Sequence, residues 1–405
     1  MLNKKGQREL AYIAQVTNIT PIEGAENVEL AHVNGWTVMV RKGAFQIGDP
    51  CVYFEIDSKV PETEEFSFME KYKYRVKTQK YFKGKVLSQG LIMTLAELNL
   101  TDCKVGDFVT ERLGVIYYEV EDNIRKADNK KLAEIKVDKF MERWSRKHPH
   151  LSKIKFIYNF KRNRWLKKYF KTQAKKKNGW PVWVQKTDEE RCQNLPNIFI
   201  NNDKHYMVTE KIDGTSTTFT MQQAPKKKRR SYICSRNVVF DTPEKEERNF
   251  YKDTDGNVYV EMFEKYEIEK ILNYILDLNP DYEFITLQGE TYGGTIQKRN
   301  YGPEHRFALF NYIYKKNGKA PVRLNPVQMK EVADAINKEC NTKIETVPIL
   351  DTDYKLPSTC EELLEYAEGV SVIDSQPREG LVFRDNKGEE SFKAVSNSFL
   401  LKYHS

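Results

Sequence analysis

The segment Thr209-Glu210-Lys211-Ile212-Asp213-Gly214-Thr215 sets a lysine two residues before an Asp-Gly pair. A lysine can attack phosphorus only as the free amine, whereas an ordinary lysine titrates at about 10.4. Burial and a nearby divalent cation both disfavour the ammonium form. We expect Lys211 to project into a pocket, Asp213 to reach its amine or a metal, and Gly214 to allow a turn close to a nucleotide. Alone the pattern is weak, because a salt-bridged strand end with a glycine turn also explains it.

Five segments downstream could supply the rest of such a pocket, which needs carboxylates for a metal, cations for phosphates and an aromatic ring for a base. In order they are residues 235–237, 288–293, 307–311, 378–383 and 391–394. Each also has a structural explanation: Glu290 and Glu379 could be salt-bridge partners, and Phe310 could belong to a hydrophobic core. Their shared order behind one lysine favours a nucleotide site.

This series resembles the covalent nucleotidyltransferase superfamily of ATP-dependent ligases and mRNA capping enzymes, with its ordered motifs I, Ia, III, IIIa, IV and V. Residues 293–298, Gly-Gly-Thr-Ile-Gln-Lys, look like the Gly-x-Gly-Ile-Gln-Lys run of RNA ligases. Residues 19–58 are similar to the N-terminal OB domain of the Deinococcus/Naegleria type of RNA ligase. Residues 186–194, Lys-Thr-Asp-Glu-Glu-Arg-Cys-Gln-Asn, are similar to its pre-catalytic segment. The chain thus resembles an ATP-dependent RNA ligase of that type.

The resemblance implies roles for individual residues. The implied catalytic residues are Lys211, which would form lysyl-AMP, with Asp213, Glu290, Glu379 and Lys393. The resemblance also implies contacts with ATP. Glu210 would contact the adenine amino group and Phe310 would stack on adenine, while Arg236 would contact the ribose or the RNA end and Glu290 the ribose hydroxyls or the lysine. Lys393 would contact the α-phosphate, and Gln193 and Asn194 would contact adenosine or phosphate. Glu379, through water, and Asp213 would hold Mg²⁺, for which Mn²⁺ could substitute.

Two positions depart from the family pattern. Ser391 stands where the last motif usually has its first lysine, which puts one phosphate contact in doubt, and Lys402 could replace it only if a C-terminal strand folds back. Asn311 stands where motif IIIa often has an aspartate. Neither change removes the nucleophile or the metal carboxylate.

The elements that must position these residues fall into three regions. Residues 1–118 predict an OB-type β-barrel, because short alternating runs are separated by turn signals. Residues 186–405 predict a mixed α/β nucleotidyltransferase domain, described here as an ATP-grasp-like ligase domain, in which residues 258–278 carry apolar positions at helical spacing. Between them, residues 119–185 form a basic region that we expect to be helical in part. The fold class is therefore α+β and multidomain.

The net charge of +8 is the sum of a strongly positive stretch of the basic region, at +16, and a remainder of the chain at −8. Residues 123–177 hold 20 lysines and arginines against four acids, and aromatic residues interleave the bases. Basic and aromatic side chains together suit binding of a polyanion whose nucleobases or riboses can stack on the rings. A solvated helical face is the plainer alternative. We expect RNA contacts from Gln297, Lys298, Arg299, Lys80, Lys83, Lys161, Arg162 and Arg164. A second basic run, residues 225–230, could be a nuclear-localisation signal, but a charged hairpin loop explains it better.

Composition excludes several classes of protein. The mean hydropathy of −0.68 and the lack of any run of about 18 apolar residues argue against a membrane protein. The six cysteines are far apart, so we expect reduced thiols, no zinc ribbon and an intracellular, cytoplasmic protein, with a nuclear location as the alternative. We expect a monomer.

The function we expect is ATP-dependent joining of RNA 3′-hydroxyl and 5′-phosphate ends, in free ends or a nicked duplex, through lysyl-AMP and adenylylated RNA. The alternatives are a GTP-dependent capping-type enzyme, a DNA ligase, and a non-catalytic RNA-binding protein. DNA ligases and capping enzymes continue into a C-terminal OB domain, for which the twelve residues after Lys393 leave no room. The preference for RNA over DNA comes wholly from the resemblance.

Overall fold

The structure is a computed structural model of the chain. It describes residues 8–118, 137–138, 140–176, 181–200, 203–224, 229–237, 239–241, 257–297, 299–388 and 390–403, with side chains of 168–176 and 241 excepted. Most of the basic run at 225–230, and Lys298, lie outside these residues.

Residues 8–118 form a small β-barrel unit built from short strands. The strands are β1 (Ala11–Gln15), β2 (Asn18–Pro21), β3 (Val28–Val33), β4 (Trp36–Arg41), β5 (Pro50–Phe54), β6 (Ser58–Lys59), β7 (Thr78–Tyr81), β8 (Val86–Gln89), β9 (Leu91–Thr94) and β10 (Ile116–Tyr117), with 3₁₀ helices at Glu64–Tyr72 and Phe82–Gly84. They pair as β1-β5-β9, β2-β3-β4, β7-β8 and β10-β6.

Strand β5 is buried on both faces and separates two cores. Val52 and Phe54 lie in one apolar cluster, while Cys51 and Tyr53 lie in another. Because successive side chains of a strand point to opposite faces, a run of apolar residues without alternation is what such a two-sided strand requires. Both clusters exclude water from the barrel and hold its strands in register.

The basic region contains a helical hairpin. Residues 140–147 are helical, and helices follow at Pro149–Ser152 and Lys155–Lys176. Met141 and Trp144 are buried between the two arms, against Ile157, Trp165 and other partly buried side chains. The region is thus helical in its described part, and some of its aromatic residues are consumed by its own small core.

The C-terminal domain carries the remaining strands. They are β11 (Glu190–Arg191), β12 (His205–Lys211), β13 (Thr215–Gln222), β14 (Ser231–Cys234), β15 (Val239–Asp241), β16 (Tyr282–Tyr292), β17 (Arg306–Lys316), β18 (Val322–Arg323), β19 (Glu345–Thr346), β20 (Ile349–Lys355), β21 (Gly380–Asp385) and β22 (Ser391–Val395). One sheet has the order β11-β22-β21-β12-β20. The other runs β15-β14-β13-β16-β17-β18, with β19 beside β17.

Helices cover the outer faces of these two sheets. They are Val258–Lys265, Ile268–Leu278, Pro326–Cys340, Cys360–Ala367 and Asn397–Tyr403, with 3₁₀ helices at Cys192–Asn194 and Pro196–Phe199. The apolar spacing over 258–278 gives two helices instead of one, because Glu267 adopts a left-handed conformation with φ of 48°. In the second helix, Ile268, Ile271 and Ile275 are buried, as an amphipathic helix on a sheet requires.

The chain crosses from one sheet to the other at the Lys-x-Asp-Gly segment. Lys211 ends β12 in the five-stranded sheet, and Thr215 begins β13 in the seven-stranded sheet. An added Cβ on Gly214 would lie 2.3 Å from the backbone oxygen of Thr291, so only glycine fits this turn beside β16. Any group bound between the sheets therefore lies next to Lys211.

The barrel packs on two helices of the C-terminal domain. The Gly35 N–H donates to the Glu361 carboxylate at 3.0 Å, and Leu87 is buried with Phe399 and Leu400 of the C-terminal helix. Lys80 donates to the Leu401 carbonyl at 2.8 Å, which ties the same two parts together. The two parts form one continuous surface near the C-terminal helix.

Among the helices in the described ranges, none is long and apolar enough to cross a membrane.

Candidate active site

Lys211 lies between two sheets with its amine on a carboxylate. The antiparallel register pairs Lys211 with Gly380, so Glu379, the residue before Gly380, lies near the end of β12. Lys211 Nζ lies 2.8 Å from the Glu379 carboxylate. An added Cβ on Gly380 would lie 2.2 Å from the Ala394 oxygen, so glycine allows β21 to pass this close to β22. The predicted nucleophile and the predicted metal carboxylate are therefore in contact.

Two further carboxylates face the same amine. Glu290 on β16 and Asp213 in the turn both attract the Lys211 charge. Burial acts to lower the pKa of Lys211, but Glu379, Glu290 and Asp213 together outweigh it, so that its pKa lies above the ordinary value. From the sequence, we expect burial to favour the neutral amine of Lys211. In the protein without ligands, the surrounding carboxylates favour the ammonium form instead.

The same crowding raises the pKa of the acids. Burial, reinforced by Glu379, raises the pKa of Glu290 to about 8 although Lys211 opposes the shift. Burial and then Glu379 raise the pKa of Asp213 to about 6. Negative charge is therefore in excess around the lysine, which favours the entry of a cation.

Lys393 and Arg191 bring positive charge to the neighbourhood of Lys211. Parallel pairing of β11 with β22 aligns Arg191 with Lys393. Burial, with Lys211 and Arg191 adding repulsion, lowers the pKa of Lys393 to about 8. Arg191 is enclosed, 5.4 Å from the ring centroid of Trp36, and its Nη1 has no hydrogen-bond partner among the described residues. Two cations and an unused donor form a pocket for an anion.

Arg191 was not singled out from the sequence. It lies inside the quoted segment 186–194, but its type and position there do not distinguish it from any surface arginine. A buried guanidinium needs a partner, because an unpaired charge away from water is unfavourable. Its closeness to Lys393 could be found only from the strand pairing.

Glu210 and Phe310 offer groups for a base. Glu210 is buried; one carboxylate oxygen accepts the Val372 N–H at 3.0 Å, and the other has no partner in the described part of the chain. Phe310 lies half-buried on β17, next to the register shift opposite Gly289. An unsatisfied buried acceptor calls for a donor such as an exocyclic amine.

Gln193 and Asn194 are buried in the 3₁₀ helix that follows β11. Asn194 donates to Glu190, and its Oδ1 has no partner among the described groups. Arg236 lies at the rim, where its Nη2 is 2.8 Å from Asp188, and its charge acts on Glu290. Of these three residues, Arg236 is the one whose charge reaches the acids around Lys211.

The two departures from the family pattern lie at one polar cavity. It has a volume of about 220 Å³ and is lined by Ser391, Asn311, Gln288, Arg323 and residues 185–189, with Ile313. Ser391 Oγ and Asn311 Oδ1 are buried and have no partner in the described residues. Lys402 is on a helix, not a strand, and donates to Gln376, so it does not replace a lysine at Ser391 in the manner expected.

Several expected RNA contacts have other partners. Arg299 is only 1% exposed, pairs with Asp374 at 2.6 Å and lies 4.3 Å from the ring of Tyr301, so the expectation of a surface contact is wrong for this residue. Tyr301 in turn accepts the Asp213 N–H at 3.1 Å. Gln297 donates to the Gly214 carbonyl at 2.9 Å. Arg299 and Gln297 therefore support the turn after Lys211.

The remaining expected RNA contacts differ in their availability. Lys80 bonds to Leu401, Arg162 pairs with Asp138 at 2.8 Å, and Lys161 lies 5.1 Å from the ring of Trp144. Lys83 and Arg164 are exposed. The structure thus leaves Lys83 and Arg164 as the most accessible of the predicted basic contacts that it describes.

The pocket fits a hydrated cation better than a fully protein-bound one. Among the described residues, no three His, Cys, Asp or Glu side chains are grouped to hold a metal by themselves. Glu379 and Asp213 offer oxygen donors in a region of excess negative charge. Mg²⁺ prefers oxygen and keeps several waters and phosphate oxygens, so one or two carboxylates suffice.

Comparison with known proteins agrees with this geometry. Residues 204–404 match a family model described as RNA ligase, and residues 10–95 match an OB-fold domain model. A Naegleria gruberi RNA ligase variant solved with ATP and Mn is 28% identical, with a TM-score of 0.64, over 98% of this chain and 100% of that chain. An apo variant of that ligase is 28% identical, with a TM-score of 0.65, over 98% and 99%. No curated protein sequence matches the chain.

Proposed function

We propose, from the premise that residues 204–404 belong to the RNA ligase family and follow an OB-fold domain, that the chain is an ATP-dependent RNA ligase. It joins a 3′-hydroxyl to a 5′-phosphate in three nucleotidyl transfers. The observation that carries the proposal is the Lys211 amine, 2.8 Å from the Glu379 carboxylate and near enough to Lys393 for the two charges to repel each other. A nucleophile with carboxylates and phosphate-binding cations in the same pocket suits attack on a nucleoside triphosphate.

In the first step, Lys211 Nζ attacks the α-phosphorus of ATP. A P–N bond forms, the bond to pyrophosphate breaks, and the amine loses its proton. Lys393 and Arg191 stabilise the phosphate charge that develops on the leaving side. Glu210 and Phe310 hold the adenine, through its amino group and its ring face.

The proton on Lys211 must leave before attack, because the carboxylates around it favour the ammonium form. Glu379 and Asp213 would hold a divalent cation, Mg²⁺ or Mn²⁺, which when bound neutralises phosphate charge and the surplus of carboxylates. In support, the Naegleria gruberi ligase was solved with ATP and Mn and with AMP and Mn.

The later steps transfer AMP from Lys211 to the RNA 5′-phosphate, and then release AMP when the 3′-hydroxyl attacks the activated phosphate. The first transfer breaks the P–N bond and forms a pyrophosphate link; the second breaks that link and forms the phosphodiester. Arg236 at the rim is placed to meet the ribose or the RNA end, while Lys393 serves each transferred phosphate.

The test is label transfer to protein. Full-length chain is mixed with Mg²⁺ and α-phosphate-labelled ATP or, separately, GTP, and denatured protein is assayed for acid-labile, alkali-stable label. Label from ATP alone, lost in Lys211→Ala and kept in Lys204→Ala, is expected. Lys204 is a matched control, because it is an ion-paired lysine outside the pocket, 2.7 Å from Glu390.

Label from GTP would move the assignment to a capping-type enzyme. No label from either nucleotide, with folded protein that carries no AMP beforehand, would leave a polynucleotide-binding protein. A second assay decides which polynucleotide is joined. It compares the sealing of a 5′-phosphate RNA with the sealing of a DNA of the same sequence, and preferential sealing of DNA would overturn the RNA assignment.

A further inference from the structure

The aromatic residues of the helical hairpin fall into two sets. Trp144, Tyr158 and Trp165 pack in the core between its arms. Phe156 and Phe160 instead face outward, with 79% and 62% of their surface exposed. The interleaving of aromatics and bases in the sequence therefore conceals two different roles.

Phe156 and Phe160 share one side of the helix with polar and basic residues. The exposed positions of this side, named here the Phe156–Lys167 face, are Phe156, Asn159, Phe160, Asn163, Arg164 and Lys167. Their spacing follows the helical period, and the face is about 16 Å long at 1.5 Å per residue. It includes neither an acid nor an aliphatic side chain.

Two large rings a single turn apart are unfavourable in water unless a partner covers them. Single exposed apolar residues are common on protein surfaces, but an adjacent pair of rings flanked by cations is a combined signal. The helix itself carries bases and no acid, because no acid occurs from residue 143 to residue 177, and Asp138 on the other arm is paired with Arg162. Charge complementarity therefore selects an anionic partner.

We propose that the Phe156–Lys167 face binds unpaired nucleotides of the RNA substrate, with bases stacked on Phe156 and Phe160 and phosphates held by Arg164 and Lys167; this rests on the proposed RNA ligase function. Stacking on planar rings needs the open face of a base, which a duplex hides inside its helix. The helix Lys155–Lys176 lies beside strand β15, whose first residue follows Arg236 by three positions. The helix that carries this face therefore contacts the strand that follows Arg236 in the chain.

Variants of the two rings separate base stacking from simple apolar contact. Phe156→Ala/Phe160→Ala removes both rings, and Phe156→Leu/Phe160→Leu keeps apolar surface without planar rings. Leu151→Ala/Ile154→Ala is the matched control, because it removes exposed apolar surface from the same hairpin without touching the face. Phe156→Tyr/Phe160→Tyr keeps the stacking surface and serves as the rescue.

The measurement is fluorescence anisotropy of the full-length chain with a single-stranded 5′-phosphate RNA and with a duplex of equal length. The alanine and leucine pairs are expected to weaken single-strand binding about tenfold per ring and duplex binding less than about twofold. The tyrosine pair and the matched control should bind as wild type does. Circular dichroism checks that each variant keeps its helix content.

Four outcomes would overturn the inference: unchanged single-strand binding in the alanine pair, equal losses with duplex, full binding in the leucine pair, or binding to anionic lipid vesicles that depends on both rings while RNA binding does not. ATP labelling of the wild-type chain is measured in parallel. Absence of that label contradicts the ligase proposal, whereas ring-independent RNA binding contradicts only this one.

Discussion

Lys211 Nζ lies 2.8 Å from the Glu379 carboxylate, although 168 residues separate them in the chain. Pairing of β12 with β21 brings them together, and the acids around the amine keep its pKa above the ordinary value. The ion pair holds Lys211 as an ammonium ion in the ligand-free protein. In the proposed mechanism, attack by Lys211 therefore requires that this pairing be loosened or neutralised by the bound reactants.

Glu379→Gln should move the pH dependence of adenylylation. Removal of an anion makes the ammonium form less favourable, so the pKa of Lys211 falls and the rising limb of the rate profile shifts to lower pH. The maximal rate should fall about 100-fold, because a carboxylate for the cation is lost. Single-turnover label transfer from about pH 6 to about pH 10 measures both effects. Glu283→Gln, which removes the partner of Lys315 elsewhere, should leave the profile in place; a matching shift there contradicts the assignment.

Glu290→Gln should stabilise the protein, and more so at higher pH. The pKa of Glu290 is raised in the fold to about 8, from 4.5. A carboxyl group whose pKa is higher in the folded than in the unfolded protein stabilises the fold at a pH below its pKa in the unfolded chain. That contribution to stability is lost as pH rises from about 4.5 to about 8. Urea unfolding of both proteins at about pH 5 and about pH 8.5 should show a gain for the variant that grows by a few kcal/mol. A gain independent of pH would contradict the shift.

Gly214→Ala should impair both folding and catalysis. The added methyl would lie 2.3 Å from the Thr291 oxygen and 2.9 Å from Glu290 Cγ, so the turn after Lys211 must move. We expect a loss of about 1–3 kcal/mol in the free energy of unfolding. We also expect adenylylation to be at least tenfold slower, because a reacting group displaced by about 1 Å can lower the rate by more than that. Thermal unfolding and label transfer measure the two effects; wild-type values for both would show that the turn is free to adjust.

Arg299→Ala should lower the free energy of unfolding by about 3–5 kcal/mol, because it leaves the half-buried Asp374 carboxylate without its partner. Replacing both by apolar residues, Arg299→Met/Asp374→Leu, should recover much of this loss. The exposed pair Arg112–Asp102 has nearly the same N–O distance, 2.8 Å, and provides the control. Its removal should change stability little. Chemical denaturation measures the free energy of unfolding of each variant. Equal losses from Arg299→Ala and from removal of the Arg112–Asp102 pair would argue against a structural role for the Arg299–Asp374 pair.

The sequence alone determined the order of the two domains and predicted which groups would meet at the candidate site. The ordered elements around Lys211, Glu290 and Glu379 predicted a nucleotidyltransferase domain behind an OB-type barrel, and the family matches confirm that architecture. Such elements are local: each motif is a few residues at a strand end, and its residue types are dictated by chemistry that needs those groups.

What only the tertiary structure decided is which charges meet and which side chains see water. Arg191, Arg299 and Arg164 are the same residue type in basic or polar sequence, yet one lies under Trp36, one pairs inside with Asp374 and one is exposed. Strand register places Arg191 beside Lys393, and helix phase turns Phe156 outward while Trp165 turns inward. Burial and register join positions far apart in the chain, so the pKa values and free donors they create cannot be read from local spacing.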